Sequence, residues 1–121
     1  SFTQQIVQSL AFLRDAGTIH CDLKPENVLL CEPPSQGKIK VIDFGCSRFF
    51  AEKIYTLIQS MWYRAPEVLL GLEYGYEVDI WSLGCVVAEL FTGKPCFPGG
   101  LNSFTRRSKS HDMLIRFVRL L

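Results

Sequence analysis

The sequence predicts an α+β fold that is mainly α, and three observations carry that expectation. Apolar residues recur at helical spacing near both ends of the 121-residue chain and across its middle. Two short β-like runs, Val28-Leu29-Leu30 and Lys38 to Asp43, flank the turn-forming stretch Glu32-Pro33-Pro34-Ser35-Gln36-Gly37. Hydrophobic residues make up 48% of the chain, enough to build a packed core.

Phe2, Ile6, Val7, Leu10 and Leu13 alternate with Gln4, Gln5, Gln8 and Arg14, so residues 2–16 read as an amphipathic helix that Ala16-Gly17 stops. Pro25 forbids a continuous helix after Thr18-Ile19-His20, which leaves Asp22 to Asn27 as a loop. Val28-Leu29-Leu30 reads as a short buried strand, and Lys38 to Asp43 as a second strand pairing back on it. That hairpin would bring Asp43 beside Asn27. No period persists from Phe44 to Tyr63. A short helix starts at Pro66, and a longer one runs from Glu77 to Phe91 with Val78, Trp81, Leu83, Cys85, Val86 and Leu90. Being apolar on several sides, the longer helix is expected to be buried. Lys94 to Gly100 ends it as a loop, and Met113, Leu114, Phe117, Val118 and Leu121 mark an apolar face on a closing helix from about residue 111.

The formal net charge of +1 gives no general attraction to nucleic acid. The charge is uneven: Arg106, Arg107, Lys109, Arg116 and Arg119 against Asp112 give the stretch from Leu101 a net +4, leaving −3 before it. A solvated helix face is the expected role of that basic end. Cys21, Cys31, Cys46, Cys85 and Cys96 are scattered and odd in number and form no C-x-x-C pair, which argues against a disulfide framework or zinc site and suits a reducing cytoplasmic or nuclear setting. No apolar run is long enough to span a membrane. The chain opens on Ser1 directly in a helical pattern, so further chain is expected upstream.

The densest chemistry lies in His20-Cys21-Asp22-Leu23-Lys24-Pro25-Glu26-Asn27. Asp22 and Asn27 on one side of the expected hairpin and Asp43 on the other form an all-oxygen set. Such a set suits a hard cation such as Mg²⁺, which takes carboxylates, amides, water and phosphate oxygens.

That octapeptide, then Asp43-Phe44-Gly45, then Ala65-Pro66-Glu67, in this order, resembles the catalytic loop, DFG and APE motifs of the eukaryotic protein kinases. Asp79-Ile80-Trp81-Ser82-Leu83-Gly84 is similar to the long buried helix of the same family. The resemblance covers roughly residues 2–98. It implies a fragment of the carboxy-terminal lobe, with residues 1–98 a partial kinase domain and 99–121 a divergent basic tail.

It also implies roles. Asp22 would accept or orient the proton of the attacking hydroxyl, Lys24 would neutralise charge on the phosphoryl group, and Ser60 would tie the two together. Asn27 and Asp43 would hold Mg²⁺ on the phosphates of ATP, with Leu29 under the adenine. Asp79 would support the catalytic-loop backbone, while His20, Phe44, Gly45 and Glu67 would support the surrounding structure. Lys24-Pro25-Glu26-Asn27 looks like the serine/threonine form of the loop, so the implied partners are protein substrates bearing Ser or Thr. Trp62-Tyr63-Arg64 is similar to the CMGC group, in which the Arg64 position contributes to substrate binding and goes with proline just after the target residue. His20-Cys21-Asp22 and Tyr55 to Ser60 look most like the dual-specificity tyrosine-regulated kinases.

Two departures stand out. Leu57 occupies the place of that family's autophosphorylated tyrosine, and Met61 the place of an arginine that would hold its phosphate. The pair vanishes together, as expected of a charge-assisted unit. Packing is therefore expected to hold this loop, with Tyr55 and Thr56 the remaining candidate phosphorylation sites. Cys21 replaces the usual arginine of the catalytic motif, removing a second partner for loop phosphate. Cys21 and Cys46 admit another reading as a redox pair, but inert thiols are the commoner case.

The chain contains no Gly-rich loop, strand lysine with its glutamate partner, or adenine hinge. Half a phosphate clamp should not support transfer, so these residues alone are expected to be inactive. Two functions follow: part of a protein kinase using ATP and Mg²⁺, or a truncated binding and regulatory module.

Overall fold

The computed structural model describes residues 1–52, 57–98 and 109–120. Helix α1 (Phe2–Asp15) begins where Ser1 Oγ accepts the Gln4 amide at 3.3 Å. Ile6, Leu10 and Leu13 form its buried stripe, whereas Phe2 and Val7, both expected on that face, are exposed. Strand β1 (Thr18–Ile19) leads into a loop whose Pro25–Asn27 segment is a 3₁₀ turn. Strand β2 (Val28–Leu30) follows, and after a second 3₁₀ turn at Pro34–Gln36 comes β3 (Ile39–Val41).

The expected hairpin is present: β2 and β3 pair antiparallel, with Val28 opposite Val41 and Leu30 opposite Ile39. Val28, Ile39 and Val41 pack on α1, but Leu29 on the opposite face is 50% exposed and Leu30, at the far end of the covered face, is 47% exposed, so β2 is not the buried strand its composition suggested. An apolar run of three has no internal alternation from which to tell which face is covered. Gln5 fastens this hairpin to α1, its Nε2 donating to the Gly37 carbonyl at 2.8 Å and its Oε1 accepting the Ile39 amide at 3.0 Å.

Strand β4 (Arg48–Phe49) pairs antiparallel with β1 and has no counterpart in the sequence reading. A third 3₁₀ turn at Met61–Tyr63 precedes α2 (Pro66–Leu69), α3 (Glu77–Thr92) and α4 (Lys109–Leu120). Helix α4 starts two residues earlier than expected. Gly93, at φ 71°, closes α3 in the left-handed conformation, its amide donating to the Glu89 carbonyl at 2.7 Å.

Helix α3 organises the molecule because its buried residues reach three apolar clusters. Val78 joins Ile19, Cys21, Ile58, Ala65 and Val68. Leu83 joins Ile6, Leu10, Leu13 and Leu23. Cys85 and Val86 join Tyr63, Phe97, Met113 and Phe117, where the Phe97 and Phe117 rings meet edge to face at 4.6 Å. The helix is not covered all round: Ile80, Leu90 and Phe91 are exposed.

Candidate active site

The site begins with a backbone strain and what holds it. Cys21 follows β1 at φ 66°, a left-handed conformation that disfavours a side chain bearing Cβ. Asp79, buried in the first turn of α3, counters that cost: its Oδ2 accepts the His20 amide at 2.7 Å and its Oδ1 the Cys21 amide at 3.0 Å. Burial raises the Asp79 pKa, and the two amide bonds offset only part of the rise. The Cys21 thiol is pushed up to about 12 by burial and then by Asp79, so it stays protonated at neutral pH. A protonated, buried thiol is poorly suited to the redox-pair reading.

The loop then turns back on itself. Asn27 donates from Nδ2 to the Asp22 carbonyl at 2.8 Å and more weakly to Asp22 Oδ2 at 3.4 Å. The Asp22 carboxylate is enclosed by donors: Oδ2 accepts from Lys24 Nζ at 2.7 Å, while Oδ1 accepts the Ser60 amide at 3.1 Å and the Ser60 hydroxyl at 2.7 Å. Lys24 Nζ also donates to Ser60 Oγ at 3.1 Å, closing a three-membered set from segments 36 or more residues apart. Burial alone would raise the Asp22 pKa, but the Lys24 and Ser60 hydrogen bonds and the Lys24 charge outweigh it. The carboxyl titrates below its ordinary value. The Asp22 bond in turn raises the Lys24 pKa. Asp22 is therefore ionised and Lys24 charged at neutral pH.

His20 is fully buried, accepting the Asp22 amide on Nδ1 at 3.2 Å, which puts the ring proton on Nε2, 3.0 Å from the Ile42 carbonyl. Phe44, half exposed, meets the His20 ring at 5.1 Å. The Ile42 amide donates to the Asn27 carbonyl at 2.9 Å, so Ile42 faces Asn27 and Asp43 is the next residue along. Asp43 is at φ 66°, with Oδ1 accepting the Gly45 amide at 3.2 Å. A Cβ on Gly45 would stand 3.2 Å from that oxygen, a crowded approach.

Among the described residues, neither Asn27 Oδ1 nor Asp43 Oδ2 accepts a hydrogen bond, and no three His, Cys, Asp or Glu side chains gather into a protein-only metal cage. One amide oxygen and one carboxylate oxygen fit a hard cation that completes its shell with phosphate and water oxygens. Leu29 lies on the open face of β2, and a cleft of about 280 Å³ beside Asp22 is lined by Cys46, Arg48, Leu57, Ile58, Gln59 and Ser60.

Arg64 is buried, its guanidinium donating to the Ile58 carbonyl at 2.8 Å and, through Nη2, to the Gln59 carbonyl at 2.7 Å. It points into the protein, not into the cleft, and burial lowers its pKa. Glu67 is half-buried and forms no ion pair among the described residues. Met61 packs against the cluster of Tyr63, Cys85, Val86 and Phe97, and Leu57 is exposed. Tyr55 and Thr56 lie outside the described residues.

Two polar residues to which the sequence reading gave no role are central to this geometry. Gln59 and Ser82 are buried and hydrogen-bonded to each other at 2.8 Å. The signal available in the sequence is their place inside Tyr55 to Ser60 and Asp79 to Gly84, the stretches that resemble the family.

Comparison with known proteins gives a consistent result. The protein kinase domain family matches residues 1–119. The chain is 61% identical over 100 residues to the serine/threonine-protein kinase ppk5 of Schizosaccharomyces pombe, covering 83% of this chain and 12% of that protein. It is 50% identical over 120 residues to the dual specificity protein kinase YAK1 homolog of Arabidopsis thaliana, covering 99% of this chain and 12% of that one. The dual specificity tyrosine-phosphorylation-regulated kinase 2 of Drosophila melanogaster is 58% identical over 98 residues, 81% of this chain and 13% of its own length. The chain thus spans about an eighth of these curated relatives.

Proposed function

This chain belongs to the protein kinase family, within its dual-specificity tyrosine-regulated branch, and from that premise we propose that it is the catalytic portion of a carboxy-terminal kinase lobe. The parent protein transfers the γ-phosphate of ATP to Ser or Thr of protein substrates, with Mg²⁺. The observation that carries this reading is the closed set of Asp22, Lys24 and Ser60, with a carboxylate kept ionised between a cation and a hydroxyl.

In this mechanism Asp22 receives the substrate hydroxyl and orients its lone pair toward phosphorus, taking the proton as the new bond forms. Lys24 offers its charge to the phosphoryl oxygens as they move toward the acceptor. Ser60 donates to Oδ1 through both its amide and its hydroxyl, whereas Oδ2 carries the Lys24 bond at 2.7 Å and only a long 3.4 Å contact from Asn27, so Oδ2 is the oxygen that meets the substrate hydroxyl as Lys24 turns to the phosphoryl group. Asn27 Oδ1 and Asp43 would hold Mg²⁺, which when bound with ATP neutralises charge on the phosphates. Leu29 offers an apolar platform to the adenine. Loop position depends on the packing of Ile58 and Met61 and on the Arg64 bonds, in place of a phosphotyrosine at position 57. Residues 1–121 alone, with one side of the phosphate clamp, are expected to transfer nothing.

Arg64 acts on substrate through the backbone it holds. It occupies the Gln59 carbonyl, which is then turned from an incoming peptide and cannot accept an amide proton from the residue after the target. Proline has no such proton and loses nothing there. The test uses the full-length protein with γ-labelled ATP, Mg²⁺ and peptides differing only in Ser-Pro or Ser-Ala. Label on serine with a preference of about tenfold for Ser-Pro is expected, falling toward parity in Arg64→Ala. Equal labelling by the wild type would remove the proline preference, and no labelling would remove the kinase reading.

A further inference from the structure

The mechanism uses the Gln59 carbonyl but leaves the surroundings of its side chain unexplained. It sits at φ 67°, the same left-handed region as Cys21, and every polar group it has is engaged. Its Nε2 donates to the Val78 carbonyl and to Ser82 Oγ, both at 2.8 Å, and its Oε1 accepts the Ala65 amide at 2.9 Å. Its own amide donates to the Cys21 carbonyl at 2.9 Å, and its carbonyl accepts from Arg64. Ser82 completes the set by donating to the Tyr63 carbonyl at 2.7 Å.

A symmetry follows. Two strained residues, Cys21 and Gln59, are joined directly by a backbone bond, and both are fixed from the first two turns of α3. Asp79 holds the first through the His20 and Cys21 amides, and Val78 and Ser82 hold the second through its side chain. The next residue on each strand of chain is Asp22 and Ser60, which meet side chain to side chain. A buried amide with all its bonds satisfied holds position well, and the same amide removed leaves several groups unpaired at once.

We propose that Gln59 is a positioning residue for phosphoryl transfer: its side chain, held by Val78 and Ser82, sets the left-handed turn that delivers Ser60 to Asp22. The inference rests on the kinase reading above. Gln59 touches neither ATP nor the acceptor hydroxyl, and its effect passes through Ser60. Its loss should therefore lower kcat per folded molecule and accelerate exchange of the Ser60 amide, which donates to Asp22, while leaving the KM for ATP unchanged; because an unfolded fraction also lowers apparent kcat at constant KM, rates are referred to the folded fraction from the melting curves.

The experiment compares Gln59→Met, Gln59→Glu, Ser82→Ala and the Gln59→Met/Ser82→Ala double variant in the full-length protein, with kcat, KM and thermal melting measured for each. Gln59→Met keeps the volume and removes the bonds, and a fall in kcat of about 10- to 100-fold is expected. Gln59→Glu keeps the acceptor for Ala65 but sets an oxygen against the Val78 carbonyl, so it should not restore the rate. Ser82→Ala should give a smaller fall in the same direction, and the fall in the double variant should be less than the product of the two single falls, because the Gln59–Ser82 bond is common to both while the Ser82–Tyr63 bond is not. Wild-type kcat in folded Gln59→Met overturns the proposal. If that variant does not fold, wild-type kcat in Ser82→Ala overturns it. A full-length wild type that transfers no phosphate overturns the functional reading instead, and amide exchange then decides the positioning claim: Ser60 exchange accelerated in Ser82→Ala supports it, and unchanged exchange overturns it.

Discussion

Asp22→Asn in the full-length protein is expected to lower kcat by about 10³-fold, with the KM for ATP changed by no more than about twofold. The carboxylate accepts from Lys24, from the Ser60 amide and from the Ser60 hydroxyl. An asparagine can offer one oxygen to these donors and must turn an NH₂ group toward the others. The variant thus loses the proton acceptor and the geometry of Lys24 together, while Asn27 and Asp43 keep their oxygens. Steady-state kinetics on a Ser-containing peptide checks it, and a loss of less than tenfold would deny Asp22 its role. The direction of its pKa adds a pH dependence. Because the folded value lies below the unfolded one, the stabilisation from these bonds is present above the ordinary carboxylate range and is lost as pH falls through the lowered value. The acid limb of kcat/KM should accordingly lie below an ordinary aspartate, near 4, and move up in Ser60→Ala.

Asp79→Ala is expected to destabilise the full-length protein's kinase domain by about 3 kcal/mol or more. Truncation strands the His20 and Cys21 amides in a buried site and releases Cys21 from a conformation it would not otherwise hold. Denaturant titration measures this, and a change below about 1 kcal/mol would show that packing alone holds the loop. Asp79→Asn should fall between, since its single oxygen can satisfy one of the two amides and its NH₂ opposes the other.

The parts of the fold visible in the sequence are those with local causes. Helix α1 has its period and its Ala16-Gly17 stop, and the β2–β3 hairpin has proline, glycine and alternation to mark it. The catalytic-loop residues are contiguous, so Asp22, Lys24 and Asn27 could be read together. What could not be read depends on distant partners. Strand β4 has two residues and cannot display a period. The exposure of Leu29, Leu30, Ile80 and Phe91 depends on which neighbours pack where, and apolar content alone does not say. Gln59 and Ser82 look like ordinary loop and helix polar residues until α3 brings them 2.8 Å apart. Arg64 was expected to contribute to substrate binding, and its inward turn toward the Ile58 and Gln59 carbonyls could not be read from the sequence.

The most direct test is the transfer of label from γ-labelled ATP to a Ser/Thr peptide by the full-length protein, with Mg²⁺, with chelator, and with Asp43→Ala. The expected result is label on serine or threonine with Mg²⁺, none with chelator, and at most about 1% of the wild-type rate in Asp43→Ala. Labelling that is indifferent to both Mg²⁺ removal and Asp43→Ala, or no labelling by the wild type, would contradict it.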